Sequence, residues 1–217
     1  MRNVIIFGVG QIAEAVFDLI NQIPDINVLS FTADEEYINK DNILDKKIVP
    51  LKNLDEQFDM KNTYLITAVG YKKLNSMREK IYQRLKKKNY KFTNIIHPNS
   101  LCRFKNIGEN NIIFEFNNIQ SGVQIGNNTI IWSSNHIGHH SEIGDNCFIS
   151  SHVVISGSVK VSNNNFLGVN STIRDNISIG ANCIIGAGSL VQKSLPENSI
   201  LRNKSTDISK IKSDKIK

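Results

Sequence analysis

Long apolar runs are missing from this chain of 217 residues. No stretch reaches the roughly 18–20 apolar residues that a membrane-spanning helix needs. The opening segment MRNVIIFGVG has a short apolar part that contains two glycines, which is not the pattern of a secretory signal peptide. We therefore expect a soluble, cytoplasmic protein without membrane insertion.

Cysteine is scarce, and the three cysteines lie far apart. Cys102, Cys147 and Cys183 form neither a CxxC pair nor a zinc-binding pattern. This scarcity fits a cytoplasmic protein in which the thiols are small buried hydrophobic side chains.

Aromatic residues are also few, at 7% of the chain, although the net charge is +6. The basic residues gather at 84–91, on a predicted helix, and after residue 201. Neither run is interleaved with the stacking aromatics of a nucleic-acid-binding module, so we expect no nucleic-acid partner. Residues 196–217 are predicted to form a basic C-terminal tail, solvated and poorly ordered.

The strongest pattern present is a repeat of six residues. From Leu101 to Val191, every sixth position is aliphatic, sixteen times without a break. Six is a multiple of the strand period of two and not of the helical 3.6, so the pattern predicts short strands separated by corners. A second period of eighteen carries asparagine, which tolerates left-handed backbone: Asn110, Asn128, Asn146, Asn164 and Asn182. Residues 97–195 are thus predicted to form a triangular parallel β-helix with eighteen residues per coil.

The N-terminal part has a different pattern. A buried strand at 3–7 leads into the turn Gly8-x-Gly10-x-x-Ala13, a helix that ends before Pro24, and a second strand that reaches Asp34. This order is that of the dinucleotide-binding fingerprint, in which glycines let backbone N–H groups approach a phosphate. A purely structural tight turn is the alternative.

This domain is too small for a dehydrogenase. Two further strands, at 63–69 and near 92–96, bring the total to about four, half of a full dinucleotide-binding domain. Residues 1–96 are therefore predicted to form a small Rossmann-like α/β domain.

The [Ile/Val/Leu]-Gly-x-x-x-x hexads of residues 101–191 resemble the hexapeptide-repeat acyltransferases. The resemblance implies a left-handed β-helix and a homotrimer. The small α/β domain and the Ile96-His97-Pro98 hinge resemble the bacterial N-acetyltransferases of nucleotide-linked amino sugars, and the related sialic acid O-acetyltransferases. An acetyl-CoA-dependent acetyltransferase in surface polysaccharide biosynthesis, such as that of lipopolysaccharide, is therefore expected.

The same resemblance assigns the substrate side. In that branch the N-terminal domain holds the nucleotide of the sugar, which implies that Gly8, Gly10 and Asp34 lie near it. Lys72 and Lys73, which follow the strand at 63–69, are our own candidates for phosphate contacts.

The segment from Asn135 to Gly144 resembles the catalytic stretch of that family. There, the histidine at the position of His139 is a general base in direct transfer, without a covalent acyl-enzyme. The glutamate that commonly follows is here His140, a second candidate catalytic residue, and Glu142 or Asp145 are possible substitutes for that glutamate.

Stacking by eighteen residues places Ser121 and Gly157 on either side of His139. Gly157 exposes its backbone N–H, so Ser156 and Gly157 are candidates for acetyl-CoA contacts. Asn135 and His136 are candidates for substrate contacts.

Three alternatives to an amino-sugar N-acetyltransferase remain at this stage. One is an O-acetyltransferase of a free sugar such as sialic acid, and another is a nucleotide-binding trimer without catalysis. The third is a zinc enzyme resembling β-helix carbonic anhydrases, with His139, His140 and His152 as ligands. Its usual first ligand, one to two coils earlier, is missing, so we expect no metal.

Overall fold

The computed structural model describes residues 1–204. The first part is an α/β domain with a five-stranded sheet in the order β3-β4-β2-β1-β5, parallel except for the pairing of β3 with β4. Its elements are β1 (Arg2–Phe7), α1 (Gln11–Ile20), β2 (Ile26–Ala33), β3 (Asn42–Ile43), β4 (Lys46–Pro50), α2 (Leu54–Gln57), β5 (Thr63–Thr67) and α3 (Ser76–Lys87), with 3₁₀ turns at Glu35–Tyr37 and Leu51–Asn53.

Strand β1 is an interior strand of this sheet, between β2 and β5. Val4, Ile5 and Ile6 are fully buried, as expected for a parallel strand covered on both faces. Because β2 follows β1 on one side and β5 lies on the other, the loops after β1 and β5 flank a topological switch point, where α/β domains bind ligands. We call this region the glycine-turn crevice.

The predicted strand near 92–96 is divided between the α/β sheet and the repeat region. Phe92 makes a single parallel bridge to Leu65, whereas Ile95–Ile96 pairs with Ile112–Ile113 of the repeat region. Hydrophobic pattern alone does not say which sheet a short strand joins, and here the chain passes from one sheet to the next within three residues.

The second part is a parallel β-helix with three faces. Face 1 contains β6 (Ile95–Ile96), β9 (Ile112–Ile113), β12 (Ile130–Ile131), β15 (Phe148–Ile149), β18 (Phe166–Leu167), β21 (Ile184–Ile185) and β23 (Ile200–Leu201). Face 2 contains β7 (Leu101–Cys102), β10 (Asn118–Ile119), β13 (His136–Ile137), β16 (Val154–Ile155), β19 (Thr172–Ile173) and β22 (Leu190–Val191). Face 3 contains β8 (Asn106–Ile107), β11 (Gln124–Ile125), β14 (Glu142–Ile143), β17 (Lys160–Val161) and β20 (Ser178–Ile179).

The coils keep the predicted period of eighteen. His136 pairs with Asn118 in one direction and with Val154 in the other. The repeat aliphatics from Ile113 to Val191 are buried inside the prism. The asparagine corners are left-handed, with φ of 58° at Asn110 and 55° at Asn128, and the amide of Asn110 donates to Asn128 Oδ1 at 2.8 Å. The predicted asparagine ladder is confirmed.

The stack reaches Leu201, because β23 pairs with β21. It therefore includes part of the segment that the sequence analysis assigned to the basic tail. The remainder of that predicted tail, residues 205–217, lies outside the described residues.

The α/β domain packs against face 1. The outward side chains of Ile112, Ile130 and Phe148 belong to the same buried cluster as Val16 and Ile20 of α1. The Tyr71 ring, in the loop after β5, lies 4.9 Å from the Phe148 ring and 4.7 Å from the Phe166 ring, centroid to centroid. These contacts fix the orientation of the α/β domain on the prism.

Arg78 of α3 connects the two parts from within. Its side chain is fully buried, and the guanidinium donates to the carbonyl oxygens of Asn128 at 3.2 Å and of Asn146 and Cys147 at 2.9 Å. Burial lowers the pKa of Arg78 to about 10, so the group remains charged at neutral pH. Within residues 1–204 this charge has no carboxylate partner, and the carbonyl dipoles solvate it instead.

Candidate active site

Two histidines project from one corner of the prism. His139 and His140 lie between β13 of face 2 and β14 of face 3, and both are exposed. We call this pair the histidine corner. His152 lies at the corner between faces 1 and 2, so within one chain it does not join the pair, as the repeat register predicted.

Each ring at the histidine corner lies over a glycine of a neighbouring coil. A Cβ on Gly157 would come within 2.7 Å of Cε1 and Nε2 of His139, and a Cβ on Gly122 would come within 2.8 Å of Cδ2 of His140. The two rings therefore lean in opposite directions along the stack, and each occupies space that a side chain at the neighbouring glycine would fill. Gly157, the predicted neighbour in the following coil, does lie against the ring of His139.

The two rings also touch each other. Nδ1 of His139 lies 3.2 Å from Nδ1 of His140, with the ring planes at 77°. The backbone N–H of His139 donates to Oε1 of Gln120 at 2.9 Å, which fixes the corner from the coil below.

Neither carboxylate suggested as a substitute partner reaches the pair. Glu142 forms an ion pair with Lys160 at 3.6 Å on face 3. Asp145 lies at the next corner, where it accepts the backbone N–H of Asn127 at 2.6 Å. In the described part of the chain, His140 is thus the polar side chain that contacts the imidazole of His139.

The acetyl-CoA candidates lie one coil further along the stack. The carbonyl of Ser156 accepts the hydroxyl of Ser141 at 3.0 Å, so it is committed within the prism. The backbone N–H of Gly157 has no hydrogen-bond acceptor among residues 1–204 and lies next to the ring of His139. Gly157 therefore offers a free donor beside the candidate base.

Asn135 and His136 differ in their availability. Asn135 is 2% exposed, and its amide oxygen accepts the backbone N–H of Val153 at 2.7 Å, while its amide nitrogen donates to the carbonyl of Trp132. It is part of a ladder that joins coils, so we omit it from the proposed substrate contacts. His136 is half-buried on face 2, beside Asn118 and Val154.

The two glycines of the turn have different surroundings. Gly8 has φ +139°, and a Cβ there would lie 2.6 Å from the carbonyl oxygen of Ala68, so the close approach of β1 and β5 requires glycine. Gly10 precedes α1, and nothing lies within 4 Å of where its Cβ would be. The structure therefore explains Gly8 by packing and leaves open space at Gly10.

Asp34 lies at the end of β2, where Nη2 of Arg84 donates to both carboxylate oxygens, at 2.7 and 3.0 Å. Arg84 is a partner that the sequence did not predict, since helix spacing does not indicate a contact with a residue fifty positions earlier.

Lys72 and Lys73 are exposed in the loop after β5. That loop is anchored by Asn75, which is buried and donates to the carbonyl of Asn165 at 3.1 Å.

Residues 122–157 and 158–193 match the family model described as bacterial transferase hexapeptide (six repeats). Both matched stretches lie within the predicted six-residue repeat. No curated protein sequence matches the chain.

Solved structures match both parts of the chain together. A histidine-to-asparagine mutant of perosamine N-acetyltransferase from Caulobacter crescentus, in complex with CoA and GDP-perosamine, has a TM-score of 0.83 and 22% identity over 94% of both chains. The acetyltransferase domain of PglB from Neisseria gonorrhoeae FA1090, in complex with acetyl coenzyme A, has a TM-score of 0.82 and 16% identity over 93% of this chain and 96% of that one. WeeI from Acinetobacter baumannii AYE has a TM-score of 0.80 and 18% identity over 94% and 97%. The predicted fold, a small α/β domain followed by a left-handed β-helix, is confirmed.

In this hexapeptide-repeat chain the two candidate sites are on opposite sides of the prism. The α/β domain with the glycine-turn crevice packs on face 1. The histidine corner lies between faces 2 and 3. One chain therefore does not bring His139 next to Gly10, Asp34 or Lys72.

Two surface depressions lie away from both sites. One of about 540 Å³ lies on face 3 beside Gln124, Glu142 and Lys160, and one of about 480 Å³ lies beside Arg2, Pro24 and Asn94. Across residues 1–204, no group of three or more His, Cys, Asp or Glu side chains could hold a metal ion. In the same range, no helix is long and apolar enough to cross a membrane.

Proposed function

We propose that this protein is an N-acetyltransferase that moves the acetyl group of acetyl-CoA to the amine of a nucleotide-linked amino sugar. The product would serve bacterial surface polysaccharide biosynthesis, such as that of lipopolysaccharide. The observation that carries the proposal is the exposed imidazole of His139, which lies over Gly157 at a β-helix corner. The fold match supports it, because the matched structures cover both domains and are described with CoA, acetyl coenzyme A or GDP-perosamine.

The proposed chemistry is a direct transfer without a covalent acyl-enzyme. The sugar amine attacks the thioester carbonyl, a C–N bond forms, and the C–S bond breaks to release CoA. Nε2 of His139 takes the proton from the attacking nitrogen and passes it to the departing sulfur, and such a base contributes about 10²–10⁴-fold to the rate. We propose that the N–H of Gly157, which is free of backbone acceptors and lies beside the ring of His139, stabilises the oxygen that becomes negative.

The nucleotide is proposed to bind in the glycine-turn crevice. Gly10 leaves open space at the start of α1, where backbone N–H groups and the helix dipole favour a phosphate. Lys72 and Lys73 are exposed on the loop at the other side of the crevice. Asp34, held by Arg84, would accept hydrogen bonds from the ribose or base.

The proposed active form is a homotrimer. His139 and the crevice of the same chain lie on opposite sides of the prism, so a substrate held by its nucleotide needs the histidine corner of a neighbouring copy. Exposed apolar side chains on face 2, Leu101, Val154 and Leu190, are available for such packing. We also propose a cytoplasmic location, because acetyl-CoA is a cytoplasmic metabolite.

Purified full-length protein can be incubated with acetyl-CoA and a panel of amino sugars linked to GDP, UDP, dTDP or CMP. We expect thiol release with one of them and an N-acetylated product by mass spectrometry. Acetylation of free sialic acid in the same assay would favour the O-acetyltransferase. Nucleotide binding without any thiol release would favour a non-catalytic trimer.

A further inference from the structure

We infer that His140 is a positioning residue that holds His139 in the tautomer needed for base catalysis, in the place where a carboxylate would otherwise stand. This inference rests on the proposed function for its role in turnover. The hydrogen-bond arrangement that it describes can be tested without any substrate.

The contact between the two rings restricts where the hydrogens lie. The two Nδ1 atoms are 3.2 Å apart, so in the neutral pair one carries a hydrogen and the other accepts it. If His139 donates, its Nε2 has a free lone pair and can act as a base. If His140 donates, His139 carries its hydrogen on Nε2 and is not a base there.

The surroundings favour a role for this contact. Gly157 and Gly122 leave the space that the two rings occupy, so each exposed ring lies against the backbone of a neighbouring coil. The nearest carboxylate in sequence, Glu142, is bound to Lys160. Arg103 and Asp175 lie at the same corner two coils away in opposite directions, and neither contacts a ring in the described structure.

Adding one proton to this pair removes the base. The singly protonated pair has three hydrogens on the four ring nitrogens. If one of them stays between the two Nδ1 atoms, each Nε2 carries one of the other two, whichever ring carries the charge. In this arrangement the neutral pair is the form that leaves a free lone pair on Nε2 of His139. A carboxylate at position 140 would behave differently, because a negative charge beside an imidazole favours the protonated ring.

The matched substitutions are His140→Glu and His140→Gln, which have nearly the same shape and differ in charge. We expect the acid limb of the kcat/KM profile of His140→Glu to lie at higher pH than that of His140→Gln, because the carboxylate favours the protonated ring. His140→Ala should lower kcat by roughly 10–100-fold with KM little changed, since the base loses its orientation. His152→Gln, at an exposed left-handed corner like that of His140, is the control and should leave the profile unchanged.

The test that is independent of activity is ¹⁵N NMR of histidine-labelled full-length protein. We expect His139 to carry its hydrogen on Nδ1 in the wild type and to change tautomer population in His140→Ala. A wild-type His139 with its hydrogen on Nε2, or the same tautomer in both proteins, would overturn the inference. Coincident acid limbs for the Glu and Gln variants would also overturn it. A wild type with the expected tautomer that acetylates no amino sugar would contradict the proposed function and not the arrangement of the pair.

Discussion

His139 is exposed, yet its surroundings define its position closely. Its backbone N–H is bound by Gln120 at 2.9 Å, its ring lies over Gly157, and its Nδ1 faces His140. Nε2 is left without a partner in the described residues. A general base needs this combination of a fixed ring and a free nitrogen.

Replacing His139 with asparagine should therefore remove proton transfer and leave binding in place. Asparagine keeps a similar size and does not accept a proton at neutral pH. We expect kcat to fall by about 10²–10⁴-fold with little change in KM, measured by thiol release at saturating acetyl-CoA. His152→Asn is the control, since that residue lies at another corner. Near-wild-type turnover in the His139 variant, with collapse in a His140→Asn variant, would assign the base to His140.

Single substitutions at Gly10 and Gly8, the two glycines of the N-terminal turn, should separate loss of binding from loss of stability. Gly10→Val places its side chain in open space, so we expect weaker nucleotide-sugar binding with little change in Tm. Gly8→Ala should lower Tm instead, because its Cβ would lie 2.6 Å from the Ala68 carbonyl at a φ of +139°. Calorimetry and thermal unfolding separate the two effects. Unchanged nucleotide-sugar affinity in Gly10→Val would place the nucleotide elsewhere.

At the scale of elements, helix α3 joins the α/β domain to the prism through one buried cation. Arg78 bonds carbonyls at the asparagine corners of two successive coils, including those of Asn128 and Asn146. Losing this group leaves buried carbonyl oxygens without donors, which is costly.

Arg78→Ala should lower the free energy of unfolding by about 2–4 kcal/mol. Arg84 lies on the same helix and makes a partly exposed ion pair with Asp34, so Arg84→Ala should cost no more than about 1 kcal/mol. Urea unfolding of both variants gives the comparison. Equal losses in the two variants would contradict the role given to Arg78.

At the scale of the whole molecule, the histidine corner and the glycine-turn crevice lie on opposite sides of one prism. We call them the two proposed half-sites. The proposed homotrimer would resolve this separation, because the histidine corner of one copy could face the glycine-turn crevice of the next. Equilibrium sedimentation should give about three times the chain mass of 24.4 kDa. A monomer at micromolar concentration would exclude a site shared between chains.

Mixed trimers test the sharing directly. His139→Asn and Gly10→Val each disable one half-site, and the other half-site of each chain stays intact. If sites form between chains, refolding equal amounts of the two variants together should restore about one quarter of the wild-type number of active sites. This number is measured at limiting sugar nucleotide. The control is a mixture of the separately folded variants under conditions in which their subunits do not exchange. No recovery in stable mixed trimers would mean that each chain supplies both halves.

The period of six and the period of eighteen determined the β-helix, its corners and the position of His139 over Gly157. They did so because each coil repeats the same local geometry, so sequence spacing translates directly into stacking. The same spacing separated His152 from the pair. The glycine turn and Asp34 likewise indicated the α/β domain, since the strand, turn and helix are local features.

Contacts between distant segments were decided only by the tertiary structure. The sequence does carry an apolar outward stripe on face 1, Ile112, Ile130, Phe148, Phe166 and Ile184, which is a signal for a covered face. It does not say that α1 and Tyr71 cover it, or that Arg78 enters the interface. Asn135 likewise looked available until its amide was found inside the prism. The periodicity predicts which way a side chain points. Only the packing of distant parts of the chain determines which residues that side chain contacts.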